Sequence, residues 1–162
     1  GVGRGLYFLP VNFIPYPGST GRAVDMAQRE PPHRLGRLNA LAGLAWPLTL
    51  VNIRHPSIME TFLKTHQEVI STSDAFAQGV STAILTWYDS TPADPALLMF
   101  CQHQPDPSDP LLSTLWKTQV QTPCDIALRQ HYESLREKQQ LGALFRYQSL
   151  SRVVDQLQRE FR

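Results

Sequence analysis

Cysteine is scarce in this 162-residue chain: Cys101 and Cys124 are the only two. Two are too few for a disulfide framework, and they leave the redox compartment open. No run approaches the roughly 18 apolar residues that a membrane-spanning helix needs. Lysine is rare as well, with three against twelve arginines. No segment reaches the basic density of a nucleic-acid footprint. Phosphate loops are missing too. Gly1-Val2-Gly3-Arg4-Gly5 has the glycines, but it precedes its expected strand, whereas a dinucleotide loop follows one and opens a helix. Pro17-Gly18-Ser19-Thr20-Gly21-Arg22 sits between an expected strand and a helix, yet lacks the lysine-serine/threonine ending. Cys101, His103, Cys124 and His131 do not show paired zinc-knuckle spacing. Cys124 and His131 stand about 10 Å apart along a helix, too far for one ion. No metal and no cofactor is expected.

Proline is plentiful, with 13 residues, beside a modest 42% apolar share. The apolar residues fall into periodic blocks, so the expectation is one ordered, soluble globular domain over 1–162 with proline-pinned loops. Charge is uneven: net +3 over residues 1–60, −5 over 61–110 and +3 over 111–162. An acidic middle between basic flanks suggests complementarity inside the fold, or two basic surfaces for an anionic partner. The chain starts at Gly1 without a methionine, which suggests processing or truncation. The expected compartment is the cytoplasm, with a removed signal peptide as the alternative.

Leu6 to Ile14 reads as a strand broken or edged by Pro10. A short helix capped by Ser19 or Thr20 follows, reaching about Arg29. A second helix starts at Pro31-Pro32, carries Leu35, Leu38, Leu41 and Ala45 on one stripe, and stops at Trp46-Pro47. Leu48 to Ile53 then reads as the best strand. A helix from Pro56 buries Met59, Phe62, Leu63, His66 and Ile70 at spacings of three and four. Asp74 caps a helix, and the run 82–88 is helix or strand. Residues 96–101 read as a strand forming a hairpin with it. After a Pro/Asp loop the chain turns helical from about residue 110. Thr122-Pro123-Cys124-Asp125 looks like a fresh capped start, and Gly142 like an interruption. Leu150 to Phe161 is an amphipathic helix. The expected fold is α+β or α/β, a single mixed sheet of about four strands with helices packed on it and a helical C-terminal segment.

Arg29, His33, Arg34 and Arg37, with Arg22 nearby, form the main candidate anion or nucleic-acid site. Cations in a first helical turn oppose the macrodipole unless an anion sits there. His55, between the best strand and a helix, is the first residue to test for enzymatic activity. Cys101 and His103, placed by strand alternation on one side, are the other candidate pair. The terminal stripe Leu150, Val153, Val154, Leu157 and Phe161 suits either its own domain or a partner's groove. The leading expectation is a non-enzymatic protein-protein interaction or assembly domain, with another subunit or a second copy as partner. The alternatives are a nucleic-acid- or phosphate-binding module on the arginines, and a small Cys/His hydrolase or transferase.

Overall fold

A computed structural model describes residues 2–8, 19–145 and 150–160, and these are helical, with no strand among them. The expected mixed sheet is therefore wrong, and the chain is all-α where it is described. The helices are α1 (Val2–Tyr7), α2 (Ser19–Arg29), α3 (Arg34–Val51), α4 (Pro56–Thr65), α5 (Gln67–Ile70), α6 (Ala75–Ser90) and α7 (Pro95–Gln102). A continuous run follows: α8 (Pro110–Trp116), a π segment (Lys117–Gln121), α9 (Thr122–Ile126), a second π segment (Ala127–His131) and α10 (Tyr132–Glu137). A 3-10 turn (Leu141–Phe145) and α11 (Leu150–Glu160) complete the order.

Each strand expectation failed for an identifiable reason. Residues 48–51 are the last turn of α3, because Pro47 does not end that helix but lies buried inside it. An interior proline removes one ladder hydrogen bond and costs about 3 kcal/mol. Here the buried stripe Leu41, Leu44, Ala45 and Leu48 runs straight across it, and that burial outweighs the penalty. The helix stops past Val51, where the Asn52 amide donates back to the Leu48 carbonyl at 2.8 Å. Residues 96–101 form α7 because Pro95 occupies the first turn and Asp94 caps it, accepting from the Ala96 N–H at 2.9 Å. The run 82–88 is the second half of α6, so no hairpin forms. Of the strand placed at 6–14, Leu6 and Tyr7 are helical, and residues 9–14 lie outside the described residues.

Other elements fell where periodicity put them. The helix expected from Pro56 is interrupted at His66, leaving α4, which buries Met59, Phe62 and Leu63, and α5, which buries Ile70. α2 occupies Ser19–Arg29. Thr122-Pro123, by contrast, opens no new helix. Thr122 keeps helical torsions (φ −60°, ψ −46°), and the chain absorbs the missing Pro123 N–H beside the wider π turn at Lys117–Gln121. The long run ends before Gly142, at Gln139, whose positive φ of 54° closes it in the left-handed conformation.

α3 and α6 cross at the centre, and small residues let their backbones meet. A Cβ on Gly79 of α6 would press on the Ala42 carbonyl and stand 2.7 Å from the Ala45 Cβ. On another side of α3, Gly3 of α1 seats against the Ala40 carbonyl and the Gly43 backbone. The main core surrounds this stack and includes Phe76, which lies on Phe62 with centroids 5.6 Å apart and planes 16° from parallel. A second cluster gathers Leu85, Tyr132, Leu135 and Leu144 with Val153, Val154 and Leu157 of α11.

Side-chain hydrogen bonds and ion pairs pin the loops between these helices. Glu60 and Lys64, one turn apart on α4, reach His103 (2.7 Å) and Asp109 (2.7 Å) at the two ends of the Pro/Asp loop. The Asp94 carboxylate, with only 9% of its side chain exposed, accepts from Arg54 (2.9 Å), Trp87 Nε1 (3.1 Å) and the Ala96 N–H. Asp94→Ala removes a cap and two side-chain partners together. It is expected to cost about 2 kcal/mol, read as a lower urea midpoint at unchanged slope.

Candidate functional site

A cleft of about 630 Å³ opens between α1, the turn joining α2 to α3, and α6. Helical spacing explains its wall: Gly36, Asn39, Ala40, Gly43 and Trp46 recur every three or four residues and share one side of α3. The opposite wall is the α6 triplet Gln78, Gly79 and Thr82, where Gln78 and Thr82 stand one turn apart. Pro31, Pro32 and His33 close one end, and Leu144 contributes from the 3-10 turn. The surface is mainly apolar, because glycine, alanine and proline dominate these positions.

Two charged side chains of opposite sign, Arg4 and Glu30, reach the cleft. The Arg4 guanidinium lies over the Trp46 ring, 3.8 Å from its centroid, a cation–π stack that fixes both side chains. Burial draws the Arg4 pKa below its usual value. The Gln78 amide and the Thr82 hydroxyl hold no hydrogen bond among the described residues, although Thr82 is only 5% exposed. What the cleft offers is apolar area, neutral hydrogen-bonding groups and balanced charge. No nucleophile–base pair faces into it.

Among the sequence-derived candidates, only His33 joins this cleft. It occupies the N-cap position of α3 in extended conformation without a side-chain cap, and no acid follows in the first turn. Arg34 and Arg37 emerge from another side of α3, since each residue advances about 100° around the axis. Arg22 and Arg29 share a face of α2, but exposed Asp25 sits between them. None of these four arginines has an ion-pair partner among the described residues.

His55 is exposed at the N-terminus of α4. Cys101 and His103 diverge: two helical steps separate them by about 200°, where a strand would have aligned them. The His103 ring instead meets Glu60 and stands edge-on to Trp116, with centroids 4.7 Å apart. Cys101 is half-buried at the edge of the main core, in which Cys124 of α9 is fully buried. No group of three or more His, Cys, Asp or Glu able to hold a metal occurs among the described residues. In the terminal helix, Val153, Val154 and Leu157 are buried at 4%, 5% and 7% exposure against the chain's own second cluster. They are not free for a partner. Leu150 opens that helix, and Phe161 lies outside the described residues. No described helix is long and apolar enough to cross a membrane.

Two histidines carry a pH dependence. Burial holds His66, whose ring is tilted against Phe62 with centroids 4.7 Å apart, below its ordinary pKa, and Asp25 only partly opposes this. Burial likewise lowers His131, against the Gln130 backbone and Asp155. Both are kept neutral in the fold, so the unfolded chain binds more protons. Stability is full above the ordinary histidine value of about 6.5 and is lost as pH falls from there through the lowered folded-state values. Urea midpoints should fall between about pH 8 and about pH 5. His66→Gln and His131→Gln together should flatten the fall.

Sequence reasoning passed over Trp46, Gln78 and Thr82. The available signal was Gln78 and Thr82, polar groups one turn apart in the mainly apolar first half of α6. Comparison of the chain with protein-family models, curated proteins and solved structures gives no match.

Proposed function

We propose that this chain is a protein-interaction domain, and that its cleft receives an uncharged, apolar stretch of a partner polypeptide. The observation that carries this reading is the cleft of about 630 Å³, whose mainly apolar lining includes the unengaged amide of Gln78 and hydroxyl of Thr82 and no net charge from Arg4 and Glu30. Its size falls within the roughly 300–1,000 Å³ of ordinary binding pockets. A side-chain amide and a hydroxyl suit the N–H and C=O groups of an extended peptide, while the prolines, alanines and Trp46 accept apolar side chains. Arg4 is held by Trp46 and balanced by Glu30, so a charged stretch gains little there. Panning a random peptide library on the domain should enrich apolar, uncharged sequences. Their affinity should change little with salt and fall about fivefold in each of Gln78→Ala and Thr82→Val. No enrichment, or binding indifferent to both substitutions, would remove the proposal.

A second reading rests on the unpaired Arg22, Arg29, Arg34 and Arg37, which suit phosphate or nucleic acid. Asp25 dilutes that surface, and the two helices aim their arginines differently, which places this reading behind the first. It predicts oligonucleotide affinity that drops steeply with salt as counterions are released. A flat titration ends it.

A further inference from the structure

One stretch of the chain outside the described residues has the character the cleft calls for. Residues 9–18, Leu9-Pro10-Val11-Asn12-Phe13-Ile14-Pro15-Tyr16-Pro17-Gly18, lie within a run over 5–21 that has no Asp, Glu, Lys, Arg or His. Residues 146–149 and 161–162 each include an arginine. The other long uncharged runs, 38–53 and 75–88, form most of α3 and α6 and are committed to the main core. We propose that the chain self-associates, with residues 9–18 of one copy docking in the cleft of a second. Self-association of this kind presupposes the cleft's role as receptor for an uncharged, apolar stretch, and it identifies that stretch.

The chemistry is complementary. Leu9, Val11, Phe13, Ile14 and Tyr16 supply large apolar side chains to walls built mainly of glycine, alanine and proline. Pro10, Pro15 and Pro17 keep a carbonyl acceptor but have no N–H. The stretch therefore offers more acceptors than donors, and the unengaged Gln78 amide and Thr82 hydroxyl can donate to them. A proline ring fixes φ covalently, so less backbone freedom is lost on docking than in another sequence of this length. No charge has to leave water.

Chain length favours a second copy over the chain's own cleft. The flanking helices meet this stretch beside the C-terminal part of α3. Asn52 Nδ2 donates to the Tyr7 hydroxyl at 3.4 Å, and Gly21 of α2 borders a second groove with Leu48 and His66. The cleft runs the other way along α3, as far as Gly36. A path from Asn52 out to Gly36 and back to Leu48 is about 42 Å at the helical rise of about 1.5 Å per residue. The chain between Phe8 and Ser19 covers about 36–40 Å when fully extended, with nothing left for the turn. A second copy is not tethered in this way, and two copies can exchange stretches reciprocally.

A synthetic peptide of residues 9–18, titrated calorimetrically into the intact chain at concentrations where it is monomeric, tests the docking. Binding should change little with salt and weaken about fivefold in each of Gln78→Ala and Thr82→Val. Serine in place of both Phe13 and Ile14 in the peptide should abolish it. Sedimentation equilibrium of the intact chain should show the mass rising from one copy to two with concentration. A chain with Phe13→Ser and Ile14→Ser, and a chain with Gln78→Ala and Thr82→Val, should each associate at least about tenfold more weakly. Mixing the two should give a one-to-one pair through the one intact contact. Peptide binding to the wild-type chain is decisive even where a variant folds poorly. If a random library enriches apolar sequences but this peptide does not bind, self-association falls and the broader reading stands; if neither binds, both fall. A chain monomeric up to about 1 mM overturns the second-copy assignment. So does one that binds the peptide only after Phe13→Ser and Ile14→Ser, because its own stretch then fills the cleft.

Discussion

Gly79→Ala is expected to destabilise the fold by about 3 kcal/mol, even though alanine is the better helix former. At an open helical site the same exchange stabilises by about 1 kcal/mol. At Gly79 the added methyl falls inside contact distance of the Ala42 carbonyl and 2.7 Å from the Ala45 Cβ. Neither atom belongs to a flexible side chain, so no rotamer change relieves the overlap. α3 and α6 must separate, and dispersion contacts weaken steeply with even a small gap. Gly5 is the internal control. Nothing lies within 4 Å of a Cβ built there, so Gly5→Ala should be neutral or slightly stabilising. Urea unfolding followed by circular dichroism at the helix band reads both. Equal effects at the two positions would show that the helices do not approach as closely as described.

Phe76→Ala should cost still more, about 3–5 kcal/mol. Its ring is fully buried, stacks on Phe62, and joins the first turn of α6 to α4. Deleting it removes the transfer free energy of a large apolar group and leaves a cavity between two helices that cannot collapse fully. Folded domains are stable by only about 5–15 kcal/mol, so the variant sits near the edge of folding at room temperature. Phe76→Leu keeps most of the volume and should recover over half of the loss. A midpoint within experimental error of wild type in the alanine variant would contradict the packing around this ring.

How far the sequence could be read depended on what surrounded each segment. Met59, Phe62 and Leu63 mark α4 because one side of that helix faces water and the spacing shows through. The stripe in Leu150 to Phe161 marks α11 for the same reason, yet it did not say what the stripe rests on. Residues 48–51 and 96–101 misled because a short apolar run carries no period that separates helix from strand. In α7 the missed arbiter was the Asp94-Pro95 pair, a cap followed by a first-turn proline. The mistaken strand at 96–101 had a direct consequence for the site, since it aligned Cys101 with His103, whereas the helix sends them to different neighbours. His33 was found through its charge context. Trp46, Gln78 and Thr82 were not, because a cleft between three helices belongs to no single segment.

The chain by itself determined local matters: that helices start at Pro56 and Asp74, which faces of α4 and α11 are apolar, and that no long apolar span occurs among its residues. Tertiary structure decided whether Pro47 breaks α3 and where a cleft opens. Those outcomes depend on free energies of burial summed over helices distant in sequence. Propensity terms of a few tenths of a kcal/mol per residue cannot overrule a buried stripe, and a stripe does not name the surface that will cover it.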